Sequence, residues 1–264
     1  MNEWKPFVGR ITFFPLRGIS SSPPSALDLY RQIWGGEPDA FQKPPNPLLP
    51  GFARGKRGGL IIDCTAHPAR IDFNLRAAPS HVSQMTINLI DHPIELRDEL
   101  MRIIKVPDRS SVSENVSRVA LILHFLNLKL SHAEANKALT EVIPDRYGVT
   151  IMDEEAFVFQ INQPHMNREF QDIRMNFITK WSVEQFQTLT ISIPIGGVPA
   201  QAGMTWASPQ PKTVIAASVV FDNNNTPPTP VRALTGKEQS ALLQEALDAA
   251  VRNQQEIGLN IEGF

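Results

Sequence analysis

The chain has 264 residues, of which 42% are hydrophobic and 20% are charged, and its formal net charge at pH 7 is −2. This length suffices for one large domain or two small ones, and a core of this size needs no disulfide or metal for stability. The nearly balanced charge excludes a general attraction to nucleic acid or to membranes, although a local basic patch is compatible with it.

Cysteine usage and hydrophobic runs indicate the compartment. The only cysteine, Cys64, excludes an internal disulfide and any zinc site built on thiolates. It follows the apolar residues Leu60–Ile62, which predicts a buried, unreactive thiol. The N-terminus lacks a signal-peptide pattern, and no run approaches the roughly 18 apolar residues of a membrane helix. We therefore predict a cytoplasmic protein that has no metal or cofactor and does not bind membranes.

The first half of the chain contains patterns for four strands and two helices. Apolar and polar residues alternate in Arg70–Leu75, which predicts a sheet with one polar face. On that face Asp63, Asp72 and Arg70 are expected to lie close together and to form cross-strand ion pairs. The predicted strands are Val8–Phe14, Leu60–Thr65, Arg70–Leu75 and Met85–Ile90, and the helices begin after Ser22 and at Pro93.

The segment Gly35–Gly59 is rich in proline and glycine, which predicts a long loop without regular structure. It contains three basic residues with glycines among them, Arg54, Lys56 and Arg57. Such residues can reach phosphate groups with their side chains and backbone N–H groups, so they are candidate binding residues. A solvated loop without a ligand is the alternative. Because aromatic residues do not interleave with them, base stacking is not predicted.

The polar segment Lys105–Asn115 has few apolar anchors, which indicates a boundary. We place a connector at 108–115, between a first unit (1–107) and a second unit (116–264). One continuous domain is the alternative. The second unit begins with Val116–Leu126, whose two faces are both largely apolar. This pattern predicts a central strand that is covered on both sides.

The second half repeats the order of elements predicted for the first. The pairs Ser131 with Glu134 and Thr235 with Glu238 have the spacing of capping boxes and mark two helix starts. The predicted strands are Ala156–Asn162, Met175–Val183, whose strand region continues through Phe186–Ile193, and Val214–Phe221. We therefore predict an α+β fold of two successive β-α-β-β-β-α units, with mainly antiparallel sheets and helices packed on one face.

Catalytic motifs are absent from the sequence. It has no G-x-x-x-x-G-K-[ST] phosphate loop and no G-x-S-x-G nucleophile turn. His165 and Glu169 have helical spacing, but no third ligand is evident, and a surface histidine is predicted instead of a metal site. His124, in the predicted central strand, is interpreted as a core histidine that is hydrogen-bonded to a neighbour. A general base in a cleft is the alternative.

A second segment rich in glycine and proline, Pro194–Lys212, contains Met204 and Trp206. Methionine and tryptophan in an uncharged loop are typical of protein interfaces, so both are candidate binding residues. Packing of Trp206 back onto its own sheet is the alternative.

These patterns favour a non-enzymatic assembly, adaptor or regulatory subunit of a cytosolic multi-protein complex. Its partner would be another protein or a second copy of the chain. The first alternative is an RNA- or DNA-binding component, which requires an exposed basic loop or sheet face. The second alternative is a small-molecule enzyme with a cleft near His124.

Overall fold

The structure is a computed structural model, and it describes residues 3–16, 25–46, 49–79, 87–107, 115–129, 131–151, 157–189, 211–259 and 261–264. This part of the chain contains ten strands and four α-helices. In chain order they are β1 (Lys5–Pro15), α1 (Ala26–Trp34), β2 (Ala40–Gln42), β3 (Gly51–Arg57), β4 (Leu60–His67), β5 (Arg70–Ala77), α2 (Pro93–Ile104), β6 (Val116–Lys129), α3 (His132–Thr140), β7 (Val158–Asn162), β8 (His165–Met166), β9 (Arg174–Leu189), β10 (Pro211–Asn225) and α4 (Gly236–Glu256).

The strands form one sheet in the order β2-β3-β4-β5-β1-β6-β10-β9-β7, and β8 also pairs with β9. Each pairing is antiparallel. Helices combined with an antiparallel sheet confirm the predicted α+β class. The predicted central strand is β6, which lies between β1 and β10. None of the helices in the described ranges is long and apolar enough to cross a membrane.

Helices α1 and α2 each approach the sheet closely at a glycine, and the two glycines lie on one face. Residues directly opposite each other in an antiparallel ladder lie on the same face. A Cβ atom on Gly55 of β3 would overlap the hydroxyl group of Tyr30 in α1, and one on Gly9 of β1 would lie 2.7 Å from Leu96 in α2. The row across the sheet that contains both glycines is Gly55, Ile62, Leu75, Gly9, Leu123 and Phe221.

Helix α4 contacts the same face on the second half of the sheet. Asn223 of β10, two residues beyond Phe221, donates a hydrogen bond of 2.7 Å to the backbone oxygen of Ala246. The side chains of this face form the core together with the helices. Cys64 is part of this core and is fully buried, as predicted, and burial raises the pKa of its thiol. The opposite face of the sheet is the more polar one.

The predicted loop at Gly35–Gly59 is wrong, because this segment contains β2 and β3. Its small residues have a packing role, since a strand that passes directly beneath a helix has no room for side chains. Gly55 lies beneath Tyr30 and leaves no space for a Cβ atom, whereas a Cβ atom on Gly51 would make an ordinary contact of 3.7 Å with the Cβ atom of Ala26 in α1. The glycines therefore indicate a close approach of two elements and not a loop.

The predicted strand Met85–Ile90 is not found in the part that is described, Ile87–Ile90. Ile90 is buried and donates its backbone N–H to the oxygen of Pro6, which anchors the segment that leads into α2. Each half contains four strands between its two helices, β2–β5 in the first and β7–β10 in the second, where the predicted unit had three.

The sheet is continuous across the predicted connector. Residues 108–114 lie outside the described ranges, and Asn115 has a positive φ of 67°. Strand β1 of the first half pairs with β6 of the second half along its whole length, from Lys5 opposite Leu126 to Pro15 opposite Val116. The two alternatives for the domain organisation, a division into two units and one continuous domain, both stay predictions.

Candidate binding surface

Five arginines lie on the polar face of the sheet, on strands β3, β5, β1 and β6. Arg54 is opposite Asp63, Asp63 is opposite Asn74, and Asn74 is opposite Arg10, so these residues share one face. Side chains alternate between faces along a strand, so Arg70 and Arg76 lie on the same face as Asn74 of β5. For the same reason Arg118 lies on the same face as Ile122 of β6, which is opposite Arg10. We call this surface the arginine face, and it is formed by Arg10, Arg54, Arg70, Arg76 and Arg118.

A buried carboxylate fixes two of these arginines. Asp63 is only 6% exposed, and its Oδ1 lies 2.5 Å from Nε of Arg54 while its Oδ2 lies 2.6 Å from Nη2 of Arg76. Nη2 of Arg54 also donates to Oδ2 at 3.1 Å. The two arginine side chains are 40% and 47% exposed. One carboxylate therefore holds two half-exposed guanidinium groups side by side, and the pair keeps a surplus positive charge.

Asp72 holds a third arginine. Its carboxylate accepts hydrogen bonds from Nε of Arg70 and from the hydroxyl group of the buried Thr12 on β1. The predicted polar patch of Asp63, Asp72 and Arg70 is therefore present with ion pairs, but Arg70 pairs with a residue of its own strand and Asp63 pairs with Arg54 and Arg76.

The remaining arginines pack against neutral groups. Arg10 donates a hydrogen bond of 2.5 Å from Nε to Oδ1 of Asn74. The guanidinium carbon of Arg118 lies 4.8 Å from the ring centroid of Phe14. Arg54, which is also bonded to Asp63, makes a similar contact, with its guanidinium carbon 5.0 Å from the ring centroid of Phe52. Such cation–π contacts restrict the motion of long side chains and place aromatic rings among the charges.

The arginine face carries a local excess of positive charge. With the exposed Lys56 it has six cations against two carboxylates, a surplus of four positive charges, in a chain with a formal net charge of −2. Past β6 the same side of the sheet carries three cations and two carboxylates, which are Arg174, Lys180, Lys212, Asp222 and Glu184. The surplus of positive charge is therefore larger on the first half of the sheet.

Two of the predicted binding residues lie here and one does not. Arg54 and Lys56 lie on the arginine face. Because side chains alternate between the two faces along β3, Arg57 lies on the other face, where its Nη2 donates to the backbone oxygen of Trp34 at 2.6 Å. Met204 and Trp206 lie outside the described residues.

Sequence reasoning missed three members of the arginine face, Arg10, Arg76 and Arg118. The signal for Arg76 was present, because it continues the alternation of polar residues that starts at Arg70. The nearness of Arg10 and Arg118 depends on the pairing of β1 with β5 and β6.

His124 lies in a hydrogen-bonded network on the polar side of β6. Its Nε2 lies 2.9 Å from Oγ of Ser218, and that hydroxyl group donates to Oε1 of Glu184 at 2.8 Å. Phe7 packs edge-on against the imidazole ring at 5.3 Å. Burial lowers the pKa of His124, while Glu184 opposes this shift. Because Ser218 is fully buried and already bonded, the group has the features of a satisfied network and not of an accessible nucleophile.

A cavity of about 910 Å³ lies between β8 and α4. His165 is in β8 and not in a helix, so its spacing from Glu169 does not place the two side chains on one helical face. Its Nε2 lies 2.7 Å from Oε1 of Glu245 in α4, and Asn167 bonds to the other carboxylate oxygen. Glu169 pairs with Lys237 instead. Across the described ranges no cluster of three or more His, Cys, Asp or Glu side chains is placed to hold a metal.

Comparisons of the chain with protein-family models, curated proteins and solved structures gave no match.

Proposed function

We propose that the protein is a non-enzymatic binding subunit of a cytosolic assembly, and that it holds an anionic macromolecule on the arginine face. The observation that carries this proposal is the pair Arg54 and Arg76, fixed on the buried carboxylate of Asp63 with both guanidinium groups half-exposed. A planar guanidinium group that is already positioned binds carboxylate or phosphate with little further loss of conformational entropy.

The distribution of charge supports binding rather than catalysis. The cations lie on β3, β5, β1 and β6, and their surplus of four positive charges suits a partner with several negative charges along its length. The alternative of an enzyme near His124 draws no support from its surroundings, because Ser218 is buried and its proton is donated to Glu184.

The test is the binding of the purified protein to two polyanions, polyglutamate and a mixed-sequence single-stranded oligonucleotide, at low salt. Arg10→Gln combined with Arg118→Gln removes two positive charges that hold no carboxylate, so the fold is expected to persist. We expect this variant to lose affinity for whichever polyanion the wild type binds. The matched control is Arg97→Gln with Arg252→Gln, which removes two exposed cations from helices. If the wild type binds neither polyanion, the proposal is wrong.

Self-association or a protein partner at Met204 and Trp206 stays a second proposal, argued from the sequence. Trp206→Ala with Met204→Ala is expected to reduce the mass measured by light scattering or the affinity for a protein partner, with an unchanged melting temperature. An unfolded double variant would instead place the tryptophan in the core.

We also propose that the two halves are variants of one unit. In each half the first strand pairs with the last strand, β1 with β5 and β6 with β10, and a helix follows the last strand. The contacts of α1, α2 and α4 with one face of the sheet support the packing of helices on that face. Calorimetry of the full chain tests the separation into domains, because two independent units would give two unfolding transitions.

A further inference from the structure

The arginine face is broad and shallow rather than a pocket. Arg54 and Arg10 are separated by three strand-to-strand intervals, or about 14 Å. Arg118 is four residues along β6 from Ile122, the residue opposite Arg10, which adds about 13 Å in the strand direction. The cavities of about 910, 520 and 290 Å³ are lined by other residues. A surface with these dimensions fits a flexible polymer better than a small anion.

Aromatic rings lie within this charged surface. Phe14 is contacted by Arg118 and also by Arg70, whose guanidinium carbon lies 5.9 Å from its ring centroid. Phe52 lies beside Arg54 at the other side of the face. Both rings are half-buried on strands, so their positions are fixed by the sheet. A polyanion without rings, such as polyglutamate, would use only the charges, whereas a nucleic acid uses both the charges and the rings.

Stacking also decides between single and double strands. Bases can stack on an aromatic ring or on a guanidinium plane only when they are not stacked in a duplex. A duplex on this surface would offer phosphates alone. The combination of guanidinium groups and aromatic rings therefore favours unpaired bases.

Building on the proposed function, we infer that the anionic partner of the arginine face is a single-stranded nucleic acid. Its phosphates pair with the guanidinium groups of Arg10, Arg54, Arg76 and Arg118, and its bases stack on Phe14 and Phe52. A stretch of about four nucleotides would span the surface, at the short end of single-strand binding sites.

The first experiment measures fluorescence anisotropy with labelled oligonucleotides of about 12 nucleotides, RNA and DNA, against the matching duplex and a polyglutamate of similar charge. We expect the single strand to bind at least roughly tenfold more tightly than either competitor, because only unpaired bases can stack on the rings. With about four phosphates neutralised, the logarithm of affinity should fall with the logarithm of salt with a slope near −2.8. Arg10→Gln with Arg118→Gln should reduce the magnitude of that slope by about 1.4, and the Arg97→Gln, Arg252→Gln control should not.

The second experiment separates stacking from charge. Phe14→Leu and Phe52→Leu keep an apolar side chain and leave each charge in place. Each is expected to weaken single-strand binding by roughly tenfold, with an unchanged salt slope and unchanged polyglutamate binding. A melting temperature close to that of the wild type shows that the sheet is intact in each variant.

The outcomes distinguish this inference from the proposed function. Equal affinity for polyglutamate and single strands, with no effect of the phenylalanine variants, would refute the inference and leave an anionic partner in place. Equal affinity for the duplex would refute the preference for unpaired bases. Failure to bind any polyanion would overturn both.

Discussion

Nη2 of Arg76 lies 2.6 Å from Oδ2 of Asp63, on the neighbouring strand, and the same carboxylate is bonded on its other side by Arg54. The arginine face therefore depends on a residue of opposite charge that is hidden beneath it. Removing this carboxylate increases the positive charge of the surface and at the same time releases the two arginines that it positions.

Asp63→Asn tests whether position or charge matters more. We expect the free energy of unfolding to fall by about 1–3 kcal/mol, because charge-assisted hydrogen bonds to a buried group are lost. We also expect weaker binding of a single-stranded oligonucleotide, despite the added positive charge, because the guanidinium groups are no longer fixed. Chemical denaturation and anisotropy measure the two effects. Asp98→Asn on α2, where the side chain is exposed, is the charge-matched control. Tighter binding by Asp63→Asn would show that net charge alone governs the interaction.

A second prediction concerns the start of α4. Thr235 accepts from the backbone N–H of Glu238, and the Glu238 carboxylate accepts from the backbone N–H of Thr235, which completes a capping box. Thr235→Ala should lower the free energy of unfolding by about 1 kcal/mol, which corresponds to a decrease of about 2–4 °C in melting temperature for a chain of this size. Thr235→Ser keeps the hydroxyl group and should behave nearly like the wild type. Equal losses in both variants would mean that the methyl group, not the cap, is responsible.

A third prediction follows from the close approach of β3 to α1. A Cβ atom on Gly55 would overlap the Tyr30 side chain, so Gly55→Ala must displace the helix or the ring. We expect a destabilisation of about 1–3 kcal/mol from overpacking, measured by thermal or chemical denaturation. Gly36→Ala, at a position with no atom within 4 Å of the new Cβ, is the control and should leave stability nearly unchanged. A stable Gly55→Ala variant would contradict the packing of α1 on this strand.

A fourth prediction concerns pH. Burial is the main cause that lowers the pKa of His124 below 6.5, and Lys180 lowers it further while Glu184 raises it. The unfolded chain therefore binds more protons than the folded chain once the pH falls below about 6.5, so this residue makes stability decrease as the pH falls. The melting temperature of the wild type should drop more between about pH 7.5 and about pH 5.5 than that of His124→Gln. Glu184→Gln should steepen the drop, because it removes the group that opposes the shift. An identical pH dependence in wild type and His124→Gln would exclude this contribution.

Local patterns predicted much of the fold. The alternation in β5, the two apolar faces of β6 and the capping box at Thr235 each depend on residues that are near one another in the chain, so the sequence displays them directly. Strand β3 was missed because its glycines resemble those of a loop, although one of them, Gly55, makes room for Tyr30. The reason for such a glycine lies in another element and cannot be found in the segment itself.

The arginine face could be predicted only in part. Two of its residues, Arg54 and Arg70, were singled out, and Asp63 and Asp72 were expected nearby. The assembly of the rest requires contacts between distant segments, such as the hydrogen bond from Arg10 to Asn74, which are 64 residues apart. Register between such strands is decided by the packing of the whole sheet, and no short stretch of sequence specifies it.

The position of β6 determines the order in which the sheet can be completed during synthesis. Strands β1 to β5 and helix α2 belong to the first 104 residues, so they can pair as soon as those residues leave the ribosome. Strand β6 can then add to β1, but its other neighbour, β10, begins only at Pro211. For the time needed to make some 80 residues, which is several seconds at typical rates of translation, the backbone groups along one edge of β6 have no strand to pair with. This apolar edge is the part of the nascent chain where we expect chaperones to bind and, in their absence, aggregation to begin.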